Sequence, residues 1–163
     1  MNCPSCGAPL RLANGNASLR CDYCGSIVVA AADETGTSFL EEAEGLACPA
    51  CASALWNAVL GGVSLQSCKH CHGHLVAIGA LEALIDQMRA LQHQSAIPLA
   101  TDGNDLQRKI SCPKCRRSMD THFYYGGGHA VLSTCERCEL HWLDGGVLMQ
   151  IVRAPHEREE QTW

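Results

Sequence analysis

Cys48-Pro-Ala-Cys51 and, sixteen residues later, Cys68-Lys-His-Cys71 can fold in few ways. Each Cys-x-x-Cys puts two sulfurs on one tight turn, and the hairpin between the pairs brings the second turn opposite the first, which is the arrangement of a tetrahedral four-thiolate metal site. The chain repeats the device. Cys3, Cys6, Cys21 and Cys24 have fourteen residues between their pairs, and Cys112, Cys115, Cys135 and Cys138 have nineteen. All 12 cysteines are thereby used. The expected fold is a small, metal-stabilised α+β chain of three tandem four-cysteine zinc ribbons, the second and third each followed by a short helix.

Metal is needed for energetic reasons. The cysteine-bounded units are only 22 to 27 residues long, too short to bury a sufficient apolar core unaided. A structural zinc ion contributes on the order of 10 to 16 kcal/mol at neutral pH, which offsets the ordering entropy of so small a unit. Three Zn2+ are therefore the expected cofactors. Iron is the alternative metal, because four soft thiolates do not separate the two by geometry. A disulfide framework would require an oxidising compartment. The opening Met-Asn-Cys-Pro-Ser-Cys has neither a basic end nor an apolar stretch, and no run approaches the roughly 20 apolar residues of a membrane span. The expectation is a reduced, cytoplasmic protein with no membrane contact.

Charge bears on partners. The formal net charge is −5; subtracting twelve for the thiolates and adding six for three divalent ions leaves −11. Nonspecific nucleic-acid affinity rests on lysine and arginine displacing counterions from phosphates, so overall charge disfavours nucleic acid and any contact must be local. One dense basic stretch exists: Arg108, Lys109, Lys114, Arg116 and Arg117, followed by Phe123, Tyr124 and Tyr125. A basic edge beside aromatics is the pattern that holds single strands by stacking and charge. Its plain alternative is a solvated knuckle balanced by Asp120 and Glu136, with the aromatics covering a small core.

Along the chain, residues 1–30 form ribbon 1, with strands around Leu10-Arg11-Leu12, Ser18-Leu19-Arg20 and Ser26-Ile27-Val28-Val29, the first two joined by Asn14-Gly15-Asn16. Residues 31–46 read as an acidic linker in which Ser38 and Glu41 fit a capping box and Gly45 a helix end. Residues 47–92 hold ribbon 2 and a helix from Gly79 to about Gln92, with an apolar stripe of Leu81, Leu84, Ile85, Met88 and Leu91. That stripe should pack on its own ribbon. Residues 93–110 read as a second linker. Residues 111–154 hold ribbon 3, with a turn at Gly126-Gly127-Gly128 and a helix from Gly145 to Arg153 that Asp144 would cap and Pro155 would stop. Residues 155–163 read as a mobile tail ending in Trp163.

Units 2 and 3 repeat each other: Cys-Pro-x-Cys, a hairpin, Cys-x-x-Cys, two residues, His, an apolar pair, then Gly and a short helix. This repeat resembles the transcription-factor-IIB-type zinc ribbon family, whose pattern ends Cys-x-x-Cys-x-Gly-x-Trp-Leu-Asp-x-Gly-Glu-Leu. Unit 3 matches at Cys135, Cys138, Trp142, Leu143, Asp144, Gly146 and Leu148, and departs at Leu140 and Val147. Unit 2 keeps Gly73, Gly79 and Leu81 but has Leu75, Ala77 and Ala80 where Trp, Asp and Glu are expected. The resemblance implies a zinc-stabilised fold and, by the family's name, a link to transcription. Unit 1 looks like a generic ribbon.

Four thiolates complete the tetrahedron and leave no position for water, so no hydrolysis is expected at these sites. No serine-histidine-aspartate grouping, phosphate-binding glycine loop or carboxylate pair stands out, and no enzyme activity or small-molecule substrate is expected. His74 and His141 occupy equivalent positions, where each could replace a cysteine or hydrogen-bond a ligand sulfur; with four cysteines already in each unit, the plain reading is a partly buried packing histidine. The histidines His70, His72 and His74 around Cys71 make a candidate accessory metal cluster, the plain reading being solvated turn residues. Trp56 and Trp142 are expected to cover their own metal sites. The function expected from these residues is a zinc-binding adaptor that engages an unidentified protein partner through ribbon edges and helices. The alternatives are a nucleic-acid-associated factor acting through ribbon 3, and a zinc or redox sensor.

Overall fold

A computed structural model describes residues 2–12, 18–91, 103–125 and 129–154. Residues 13–17, 92–102, 126–128 and 155–163, on which the Asn14-Gly15-Asn16 and triple-glycine turns, most of the second linker and the tail were placed, lie outside the described residues. Ribbon 1 is a three-stranded antiparallel sheet of β1 (Leu10–Leu12), β2 (Ser18–Cys21) and β3 (Ile27–Val29), in that order.

Among the described residues, ribbons 2 and 3 build one sheet of seven strands. The elements are β4 (Ser38–Ala47), β5 (Ala54–Leu60), β6 (Val63–Cys68), β7 (His74–Ala77), α1 (Ile78–Leu91), β8 (Asp120–Phe123), β9 (Val131–Cys135), β10 (Leu140–Leu143) and α2 (Val147–Arg153). The strand order is β4-β5-β6-β7-β10-β9-β8, so the third strand of ribbon 2 lies beside the third strand of ribbon 3. In β7–β10, Leu75 faces Trp142, His74 faces Leu143 and Val76 faces His141. Leu75 and Trp142 are equivalent positions of the repeat, and the flanking pairs exchange equivalent positions. The two ribbons therefore meet about an internal pseudo-two-fold axis through the Leu75–Trp142 pair, the self-complementary contact of a symmetric dimer realised within one chain.

The alternation of side chains along each strand divides the core. On one face, Val76 and Leu143 join Leu81, Leu84, Ile85 and Met88 of α1 and Leu148, Ile151 and Val152 of α2. The α1 stripe thus packs on both repeats, and Leu91 drops out of it as an exposed residue. Arg89 of α1 donates to the last carbonyls of α2, Ile151 at 3.1 Å and Val152 at 3.3 Å, satisfying groups a helix end leaves open. On the opposite face, Leu75, Trp142, Leu55, Met119 and Ile110 pack with Cys48, Cys68, Cys112 and Cys135.

Two local expectations give way. Residues 38–46, in the stretch read as acidic linker with a helical turn, form with Ala47 the edge strand β4 against β5. Ser38 and Ala43 are buried while Glu41, Glu42 and Glu44 face outward, and tertiary pairing overrides the capping-box pattern. Gly45, at φ +70°, lies in the register shift between Glu42 and Ala47, so its left-handed freedom serves a strand irregularity rather than a helix end. Likewise α2 begins at Val147 behind Gly146, with no side-chain cap. Asp144 instead accepts the Trp142 indole N–H at 3.1 Å and two guanidinium bonds from Arg108 at 2.7 and 3.2 Å.

Candidate metal centres

Three cysteine groups come together as the spacing requires. Within each of the tetrads Cys3-Cys6-Cys21-Cys24, Cys48-Cys51-Cys68-Cys71 and Cys112-Cys115-Cys135-Cys138, the four sulfurs all lie within 4.8 Å of one another. Cross-hairpin separations are 3.5 Å for Cys3–Cys24, Cys6–Cys21, Cys48–Cys71 and Cys51–Cys68, and 3.6 Å for Cys115–Cys135. These lengths exceed a disulfide bond, about 2.05 Å, and all twelve thiols are free. Tetrahedral zinc with bonds of about 2.3 Å separates its sulfurs by about 3.8 Å. The donor set and its spacing fit the ion: these are three four-cysteine sites sized for three zinc ions.

The knuckle backbone explains the closeness. In five of the six turns the first cysteine N–H donates to the carbonyl five residues on and its carbonyl accepts from the N–H four residues on, as in Cys48 N to Ser53 O at 2.7 Å and Ala52 N to Cys48 O at 2.9 Å. The residue after the second cysteine sits at positive φ in every knuckle: Gly7, Gly25, Ala52, His72, Arg116 and Glu139. Ribbon 1 uses glycine there, whereas ribbons 2 and 3 hold side chains in the left-handed region.

Hydrogen-bond donors prepare some sulfurs for a cation. The Ser26 hydroxyl and N–H hold the Cys24 thiol down to about 6, with the hydroxyl 3.1 Å from the sulfur. Ser53 does the same to Cys51, also to about 6, and the Arg117 N–H lowers Cys115 to about 7. Burial pushes Cys48 and Cys112 up. Hydrogen bonds to the thiolate favour the ligating form, and burial disfavours an uncompensated charge. Loading the deep sulfurs with a divalent ion therefore expels protons. The sites differ in depth: Cys6 and Cys24 are exposed, whereas the outer cysteines of the other two sites are half-buried.

Of the roles open to His74 and His141, packing is the one seen: His74 is buried, His141 is half-buried, and both are directed at hydroxyls in equivalent positions. His74 Nδ1 lies 3.1 Å from Ser67 Oγ, whose hydroxyl is directed at the Gly73 carbonyl, so the ring donates. Burial, then the charge of nearby His72, lowers His74 to about 4, keeping it neutral. His141 Nδ1 lies 2.8 Å from Thr134 Oγ1, which lies 2.8 Å from His122 Nε2. His122 Nδ1 sits 2.9 Å from the Phe123 carbonyl and must carry a proton. Thr134 Oγ1 thus bridges the two rings, His122 Nε2 on one side and His141 Nδ1 on the other. His70 and His72 join no group of metal-sized spacing among the described residues.

The basic stretch divides. Arg108 is engaged by Asp144, while Lys109, Lys114, Arg116 and Arg117 are exposed. Phe123 and Tyr125 are exposed, and Tyr124 is half-buried against the helix-side core. Trp142 is fully buried among the sulfurs, as expected. Trp56 is half-buried, with the Lys69 ammonium 3.1 Å from a ring centroid, a cation–π contact sequence reading missed. The close packing at Gly73 and Gly145 was missed too. A Cβ on Gly73 would meet Trp142 at 2.4 Å, and one on Gly145 would meet the Cys71 carbonyl oxygen at 2.2 Å.

In the second unit a four-sulfur knuckle pair sits on a hairpin with a third strand and a helix behind it. Residues 47–87 match the family model of the TFIIB-type zinc ribbon, described as a transcription factor zinc-finger. The match covers β5, β6, β7 and most of α1, the second four-cysteine site among them. Ribbon 3 carries the same order of strands, knuckles and helix. No curated protein and no solved structure matches the chain. Among the described residues, no helix is long and apolar enough to cross a membrane.

Proposed function

We propose that this chain is a non-enzymatic, zinc-dependent interaction module whose ribbon edges bind another protein. The observation that supports this is where apolar surface remains once the sites are closed. The apolar faces of both helices are consumed in the core the repeats share, while Ile27 and Val29 on β3 and Phe123 and Tyr125 at the end of β8 stay open. Both strands end their sheets, and edges of this kind offer main-chain groups as well as side chains. The test is capture of partners by the zinc-loaded chain, compared with Ile27→Glu/Val29→Glu and Phe123→Ser/Tyr125→Ser variants that still hold three zinc ions. Loss of capture in either variant supports the reading; identical capture by wild type and both variants contradicts it.

One observation favours a second reading. Exposed Lys109, Lys114, Arg116 and Arg117 lie near or at the first knuckle of ribbon 3, on the segment that runs into β8, and Phe123 and Tyr125 lie at that strand's far end. A nucleic-acid strand held there would stack on the aromatics and release counterions at the knuckle. The family's description as a transcription factor zinc-finger is consistent with such a role. Low-salt filter binding abolished by Arg116→Ala/Arg117→Ala supports it, and absence of retention by the wild type disposes of it.

A further inference from the structure

Three ribbons are present, and two of them satisfy each other's third strand. We propose that ribbon 1 satisfies its own with a second copy of this chain, β3 pairing antiparallel with its symmetry mate about Val28.

The correspondence is positional. Counting from the last cysteine of each unit, Ile27, Val28 and Val29 of β3 stand where His74, Leu75 and Val76 stand on β7, and where His141, Trp142 and Leu143 stand on β10. The internal contact is centred on Leu75–Trp142. The same contact made by β3 with itself is centred on Val28 and puts Ile27 opposite Val29 of the second copy, twice. Among the described residues, β3 ends its sheet, paired only with β2.

Main-chain direction agrees. In ribbon 2 the Cys68 N–H bonds the Gly73 carbonyl and the ladder continues through Ser67–His74 and Gln66–Leu75. Alternation of bonded and non-bonded pairs then turns the His74 and Val76 main-chain groups toward β10. In ribbon 1 the Cys21 N–H bonds the Ser26 carbonyl, and Arg20–Ile27 and Leu19–Val28 follow. The main-chain groups of Ile27 and Val29 accordingly point to the open edge. Their side chains are 67% and 71% exposed, so the residues with outward backbone also offer apolar side chains. A strand with both properties pairs readily, and antiparallel self-pairing closes as a two-fold dimer.

This rests on the reading that exposed edges are where the chain binds, and it names the occupant of one edge. The experiment is sedimentation equilibrium of the zinc-loaded full chain over a range of concentrations. The expected mass rises from 17.5 kDa toward twice that value, with self-association at least tenfold weaker in Ile27→Glu/Val29→Glu and unchanged in Phe123→Ser/Tyr125→Ser. Amide exchange in the wild type gives a readout independent of whether a variant folds: Ile27 and Val29 should slow as concentration rises, while Val28, bonded to β2, stays slow throughout. A mass of 17.5 kDa at every concentration, or a dimer with Ile27 and Val29 exchange unaffected, overturns the proposal. A monomer that still captures a different protein through its edges sinks this inference alone, and a β3 dimer that captures nothing sinks the broader reading alone.

Discussion

Leu75 on β7 lies directly across the strand pair from Trp142 on β10, both fully buried. They occupy equivalent positions of two repeats, and around them pack sulfurs of both the second and third metal sites. One apolar contact thus ties two zinc centres into one core, so damage at either residue should be felt at both. Trp142→Ala is expected to cost about 3 to 5 kcal/mol and Leu75→Ala about 2 to 5 kcal/mol. In chelator titrations, each variant should release zinc from sites 2 and 3 together. Independent release, with one site at wild-type retention, would show that the ribbons do not share a core.

The same junction depends on two glycines. Gly73→Ala would place a methyl group against the Trp142 ring, and Gly145→Ala would drive one into the Cys71 carbonyl. Overpacking of a tight core typically costs about 1 to 3 kcal/mol. Gly145 faces backbone, which yields less than a side chain, and should be the worse of the two. Denaturant midpoints of the zinc-loaded variants give the comparison, and Gly79→Ala, where a Cβ would have no neighbour within 4 Å, is the control.

Left-handed knuckle residues predict a gain. Ala52 at φ +61° and Glu139 at φ +53° occupy positions where ribbon 1 has glycine. A residue with a Cβ costs about 1 to 2 kcal/mol there, partly offset by glycine's greater freedom in the unfolded chain. Ala52→Gly and Glu139→Gly should each raise unfolding stability by up to about 1 kcal/mol, read as a shift in denaturant midpoint at constant zinc content.

His74 gives the pH dependence a defined sign. Its folded-state pKa of about 4 lies below the ordinary 6.5, so between these values the unfolded chain binds the proton and the folded chain does not. Its contribution is fully present above pH 6.5, falls as pH drops toward the folded value and is flat below that. The total is about 3 kcal/mol. Stability measured between about pH 7 and 4 should fall more steeply in the wild type than in His74→Gln, which cannot titrate; equal slopes would show that His74 carries none of this loss.

Much of the sites was legible because cysteine spacing is a local signal: two turns and the hairpin between them fix which four sulfurs can meet. Trp142 was legible as a cover for the same reason. Strand β4 was not, since Ser38 and Glu41 mimic a helix start and only pairing with β5 decides between the two forms. The meeting of β7 and β10 was hidden as well, because the repeat says that two units are alike and nothing about which edges touch. Gly73 and Gly145 carried a faint signal, glycine where a backbone is closely approached, but the group each one packs against belongs to the other ribbon.

Depth separates the first site from the others. Cys6 and Cys24 are exposed and ribbon 1 has its own small sheet, so a chelator or thiol reagent should reach this zinc first. One equivalent of metal should be lost at least several-fold faster than the other two, with Cys6 and Cys24 modified ahead of all other cysteines in mass spectra. Uniform release of all three would contradict the difference in depth.

X-ray absorption at the zinc edge, combined with elemental analysis of freshly purified protein, tests the three centres most directly. The expected result is three zinc ions per chain, each with four sulfur neighbours at about 2.3 Å. Fewer than three equivalents, a nitrogen or oxygen neighbour in the first coordination sphere, or disulfides among the twelve cysteines would contradict it.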